Sequence, residues 1–122
     1  DPPYNQHPYG SNYFMLNLIL EYTYPQNVST ISGIPPDWNR SGYNKENRAL
    51  QLLAGLITGI KSKYVLISFN SEGFIGIEQM KDTLNKMGKL EIMETRYNAF
   101  RGSRNFHNRE IYVKEYLFLL EK

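Results

Sequence analysis

Tyr64-Val-Leu-Ile-Ser-Phe69 is a short, nearly unbroken apolar run, and its reading decides the fold. A run of this length without polar alternation is the pattern of a parallel strand buried on both faces. Asn70-Ser71-Glu72-Gly73 follows it at once. Polar residues just past the carboxyl end of such a strand sit where open α/β sheets place their ligands. Upstream, Ala49, Leu53, Leu56, Ile57 and Ile60 recur at spacings of three and four, which predicts a helix over 45–60. Gly55 and Gly59 weaken that helix slightly and mark close approach to a strand. Downstream, Ile77, Met80, Leu84 and Met87 form a second helical stripe closed by Gly88, with the methionines as core filling. Strands are predicted over 90–97 and 112–121, the last buried through Tyr116-Leu-Phe-Leu-Leu120. A further helix, 13–24, follows the cap residues Gly10-Ser11-Asn12 and stops at Pro25. Its apolar residues surround most of the axis, so it calls for burial on more than one side. The expectation is an α/β chain of three helices and about three strands, the last two forming an antiparallel hairpin.

Composition bounds the rest. At 122 residues the chain buries one modest core. Hydrophobic residues at 41% and charged residues at 21% fit a globular protein. There is no cysteine, hence no disulfide framework and no thiolate metal site. Two histidines without carboxylates at ligand spacing predict no metal. No run of about eighteen apolar residues and no signal-like start occurs, so the expectation is a cytoplasmic protein with no membrane partner. A net charge of +2 supports nucleic-acid binding only where the charges cluster.

They cluster late. Arg96, Arg101, Arg104 and Arg109 occur with no acid until Glu110, interleaved with Tyr97, Phe100, Phe106, Asn98, Asn105 and His107. Arginines with aromatics and amides on a loop suit contacts to phosphates and bases. The other long connection, 26–44, is rich in Ser, Gly, Pro and Asn around Ile34-Pro35-Pro36-Asp37-Trp38. Its Trp38 either stacks on a base or pins the loop to the body.

The chain opens on Asp1-Pro2-Pro3-Tyr4. Proline fixes φ and has no N–H, so the carbonyls of Asp1 and Pro2 point outward with no neighbouring donor to fold back on. A carboxylate that accepts hydrogen bonds and a ring that stacks suit a planar ligand bearing an amino group, such as an adenine drawn out of its helix.

This opening resembles the catalytic motif of DNA adenine-N6 methyltransferases. The run from Asp1 through Asn5-Gln-His-Pro-Tyr-Gly-Ser-Asn-Tyr13 looks like the Dam-like, alpha-type branch. So do Ser68-Phe-Asn-Ser-Glu-Gly-Phe74, Tyr97-Asn-Ala-Phe-Arg-Gly-Ser-Arg-Asn105 and the ending Glu115-Tyr-Leu-Phe-Leu-Leu-Glu-Lys122. The resemblance implies the C-terminal half of a Rossmann-like class I methyltransferase, with 1–122 a partial catalytic domain. The family's cofactor-binding N-terminal half and target-recognition domain precede the motif and are expected to be absent. It further implies catalytic roles for Asp1, Pro2, Pro3 and Tyr4, with Asp1 also touching S-adenosylmethionine. Substrate contacts are implied for Asn70, Tyr97, Phe100, Arg101, Arg104 and Asn105, and duplex DNA is the implied partner, within a restriction-modification system.

Two further expectations follow. By itself the fragment is inactive. Its apolar faces leave a sheet edge open, which favours self-association or pairing with a complementary N-terminal chain. The competing readings are a methyltransferase acting on RNA or protein glutamine, for which Asn-Pro-Pro-Tyr is the usual form, and a non-catalytic nucleic-acid-binding remnant working through its arginine loop.

Overall fold

The computed structural model describes residues 2–3, 5–36, 40–98 and 112–122. Its described elements are α1 (Tyr9–Asn12), α2 (Phe14–Glu21), a 3-10 turn (Gly42–Asn44), α3 (Glu46–Gly59), β1 (Tyr64–Asn70), α4 (Ile77–Asn85), β2 (Lys89–Asn98) and β3 (Tyr112–Glu121). The helical stripes read from sequence form where expected. Ala49, Leu53 and Ile57 of α3 and Met80 and Leu84 of α4 are buried, because residues three and four apart share one face.

Both helices cover the same side of a three-stranded sheet ordered β1-β3-β2. That side presents Val65, Ile67 and Phe69 from β1 opposite Leu120, Phe118 and Tyr116 from β3. These residues, the two helical stripes and Ile75 make one core. At about 1.5–3 kcal/mol for each large side chain buried, this cluster is where the fold's favourable energy is concentrated.

Three sequence expectations are corrected. β1 is not a parallel strand within the described sheet: it pairs antiparallel with β3, from Tyr64 opposite Glu121 to Asn70 opposite Glu115. Nor is it covered on both faces, since Leu66 is 60% exposed while Val65 and Ile67 are buried. An apolar run reports hydrophobic demand along a strand and carries no information about its direction. The expected hairpin partners do pair antiparallel, from Lys89 opposite Glu121 to Asn98 opposite Tyr112. Third, the helix expected over 13–24 forms as α2, but the residues expected to cap it belong to a separate short helix, α1, giving four α-helices among the described residues instead of three. Gly10, Ser11 and Asn12 lie inside α1, where Ser11 donates from both N–H and hydroxyl to the Pro8 carbonyl.

The carboxyl ends of α2 and α3 stop differently. Tyr22 closes α2 in the left-handed region at φ 52°, its N–H donating to the Leu18 carbonyl. That conformation normally falls to glycine or asparagine. The Lys122 ammonium instead donates to the carbonyls of Ile57 (2.8 Å) and Ile60 (2.6 Å), so a cation tethers the end of α3 to the residue following β3.

Candidate functional site

Two groups of residues singled out in the sequence lie in the described structure, and they sit in different places. The first surrounds Pro2 and Pro3, which line two cavities. One, of about 230 Å³, runs along Val65, Leu66 and Ile67 of β1 and the carboxyl half of α3. The other, of about 380 Å³, is walled by Asn5, His7, Tyr9, Asn12 and Tyr13. Asp1 and Tyr4 lie outside the described residues.

The segment after the prolines is held from beneath. Asn44, at the end of the 3-10 turn, is only 8% exposed. Its amide donates to the carbonyl of Asn5 at 2.9 Å and, more weakly, to that of His7 at 3.4 Å. The Asn5 side chain in turn accepts from the His7 N–H at 2.9 Å, a turn closed by the asparagine's own carbonyl. Beyond it Tyr9 and Tyr13 are stacked, with ring centroids 4.2 Å apart. Residues four apart on a helical path lie one above the other, which brings the two rings together.

The second group gathers where β1 and β2 reach their carboxyl ends. Asn70, buried at the end of β1, uses its side-chain oxygen to accept from the Glu72 N–H at 3.0 Å. Across the ladder, Glu115 faces both Asn70 and Thr95. The Tyr97 hydroxyl donates to the Glu115 carboxylate at 3.1 Å, so Asn70 and Tyr97 share one neighbour. Beside them the turn after β1 is stitched to β3: the Ser71 N–H donates to the Lys114 carbonyl, and the Lys114 N–H to the Ser71 hydroxyl. The Lys114 ammonium sits 2.8 Å from Glu94, whose hydrogen bond holds it above the usual lysine range. The Arg96 guanidinium lies over the Tyr112 ring at 3.8 Å. Phe100, Arg101, Arg104 and Asn105, like Trp38, lie outside the described residues.

Sequence reasoning missed the contribution of His7, Tyr9, Asn12, Tyr13 and Asn44. The four-residue spacing of Tyr9 and Tyr13 was the available signal for the ring pair. Nothing local marks Asn44, whose partners lie 37 and 39 positions away.

Comparison with known proteins shows what the chain is similar to. Type II methyltransferase M.NlaIII of Neisseria lactamica is 29% identical over 126 aligned positions, covering 100% of this chain. Modification methylase StsI of Streptococcus sanguinis is 31% identical, again over 100% of this chain. The chain is a relative of type II methyltransferases. Its likeness extends to M.CviAII of Paramecium bursaria Chlorella virus 1, 27% identical over 98% of the chain. The methyltransferase relatives are much longer, and this chain spans 36%, 19% and 35% of their respective lengths. No family model matches it. No solved structure matches it either.

A methyltransferase calls for a methyl donor, and the cavity at the carboxyl end of β1 is too small for one of nucleoside size. The cavity below the carboxyl end of β1, lined by Asn70, Ser71 and Gly76, measures about 70 Å³. Small-molecule and cofactor sites run to about 300–1,000 Å³. Among the described residues, no group of three or more His, Cys, Asp or Glu could hold a metal ion. No helix among them is long and apolar enough to cross a membrane.

Proposed function

We propose that this chain is the acceptor-binding part of a Rossmann-like DNA methyltransferase that methylates the exocyclic amine of adenine within a restriction-modification system. The observation that supports this reading is similarity to type II methyltransferases along the whole chain, beside the chain's own Asp1-Pro-Pro-Tyr4 opening.

The chemistry follows from the residues. The lone pair of an exocyclic adenine amine is delocalised into the ring, which makes it a poor nucleophile. Hydrogen bonds from that amine to the Asp1 carboxylate and the Pro2 carbonyl favour a tetrahedral nitrogen and free the lone pair. Proline at positions 2 and 3 fixes where those oxygens point before the base arrives, so the alignment costs little at the moment of reaction. Tyr4 stacks on the base, which must first be unstacked from its duplex at a cost of a few kcal/mol. The resemblance implies Phe100 and Tyr97 for the opposite wall, and Tyr97 lies with Asn70 at the strand ends, outside the cleft beside Pro2 and Pro3. Arg101, Arg104 and Asn105 contact the DNA backbone and base edges, and Asn70 lines the rim. The methyl donor this reading calls for is S-adenosylmethionine, supplied by residues other than those described.

Transfer of labelled methyl groups by the full gene product to duplex DNA, RNA and protein tests the reading. Asp1→Ala is expected to lower methylation of adenine in duplex DNA by at least about a hundredfold, the scale of losing one preorganised hydrogen-bonding group. Normal methylation by that variant overturns the proposed role of Asp1. Label appearing on RNA or on glutamine side chains overturns the substrate. For the 122 residues alone, calorimetry is expected to show no S-adenosylmethionine binding in the micromolar range.

A further inference from the structure

We infer that the cleft of about 380 Å³ beside Pro2 and Pro3 is a nucleobase-binding site, in which the stacked rings of Tyr9 and Tyr13 form the platform and Asn12 and His7 read the base edge. The inference deepens the proposed function, on which it rests, by giving the acceptor a docking wall outside the four-residue opening motif.

Three features carry it. The first is where the rings lie. Tyr9 is 73% exposed although it stacks on Tyr13, so the pair presents aromatic surface to solvent instead of filling the core. Exposed tyrosines are suited to flat ligands, because each brings a large apolar face with only two rotatable bonds to freeze. The second is chemistry. The cleft combines that platform with an amide from Asn12 and an imidazole from His7, and among the described residues no Asp, Glu, Lys or Arg lines it. An amide offers a donor and an acceptor side by side, the complement of an adenine edge. A phosphate, by contrast, finds no Lys or Arg among the described lining residues. The third is rigidity. Asn44 is buried and clamps the carbonyls of Asn5 and His7 from below, so the wall carrying His7 is set before any ligand arrives. A wall fixed in advance lowers the ordering cost of binding.

The test is NMR titration of the 122-residue chain with adenosine, thymidine, a duplex containing one extrahelical adenine, and the same duplex fully paired. The expected result is shifted amide signals over 5–13 with upfield ring-current shifts of the adenine H2 and H8. They should appear for adenosine and the extrahelical adenine, and stay absent for the paired duplex. Tyr13→Leu and Tyr9→Leu should each weaken binding by about tenfold, the scale of one lost base–aromatic stack. Tyr13→Phe should retain it, and Asn12→Ala should erase the preference for adenosine over thymidine. Unchanged β3 amide signals in each variant report an intact fold. Equal affinity in the leucine variants, or shifts confined to residues outside 2–13, overturns the inference. Failure of the methyltransferase reading registers elsewhere, as unaltered DNA methylation by Asp1→Ala, and leaves this titration unaffected.

Discussion

The body built from α3, β1, α4 and β3 and the stretch from α1 through residue 36 are both rich in apolar side chains, yet they use them in opposite ways. In the body, Phe118, Leu84 and Leu120 are fully enclosed. In α2 no residue is buried, and Leu20 is 82% exposed. Hydrophobic content therefore does not locate the core of this protein; periodicity does. The stripes of α3 and α4 repeat at helical spacing and leave a polar face, so one burial event satisfies each helix. The α2 sequence Phe14-Met-Leu-Asn-Leu-Ile-Leu-Glu21 surrounds its axis, so one neighbour cannot cover it. Aromatic and aliphatic surface left facing outward here lies next to the cleft of stacked tyrosines, whereas the body supplies the rigid frame.

The largest effect that could break this contrast is in the core. Phe118→Ala should cost about 3–5 kcal/mol, read as a lowered denaturant midpoint, while Leu20→Ala stays within about 0.5 kcal/mol. Comparable losses at the two positions would mean that α2 is packed as firmly as β3. Next comes the join between the two regions. Asn44→Ala removes the amide that holds the Asn5 and His7 carbonyls and should cost about 1–2 kcal/mol. Faster amide hydrogen exchange should then appear over 7–13 and not in β3, which sharpens the boundary. The smallest effect has the opposite sign. Tyr22→Gly, at a position 96% exposed and held at φ 52°, should stabilise by about 1 kcal/mol in the same denaturant measurement.

Much of the frame was legible in the sequence because local spacing encodes it. The span of β3 was read as 112–121 and α3 as 45–60, within a residue of their observed ends. Strand direction was not legible. Tyr64–Phe69 has the same appearance beside a parallel or an antiparallel neighbour, since direction is set by a partner 57 positions away, where Tyr64 meets Glu121. The break between α1 and α2 was hidden because Gly10, Ser11 and Asn12 favour helix starts, and the start lies earlier, after Pro8. The site was legible only in part. Pro2 and Pro3 were singled out by their backbone chemistry, Asn70 by its place past a strand and Tyr97 by its arginine-rich neighbourhood, each joined to motif likeness, and the structure divides them between the tyrosine cleft and the ends of the strands. The support from Asn44 is a long-range hydrogen bond, which no sequence pattern announces.

The strand in the middle of the sheet is the one made last. β1 and β2 do not touch each other in the described ladder; each pairs only with β3. As the polypeptide leaves the ribosome, two strands, of which β1 is apolar, must wait with open edges until residues 112–121 emerge between them. Such waiting strands are the species that chaperones recognise and that aggregate when left alone. The yield of correctly folded protein should therefore depend on how quickly translation delivers its closing segment.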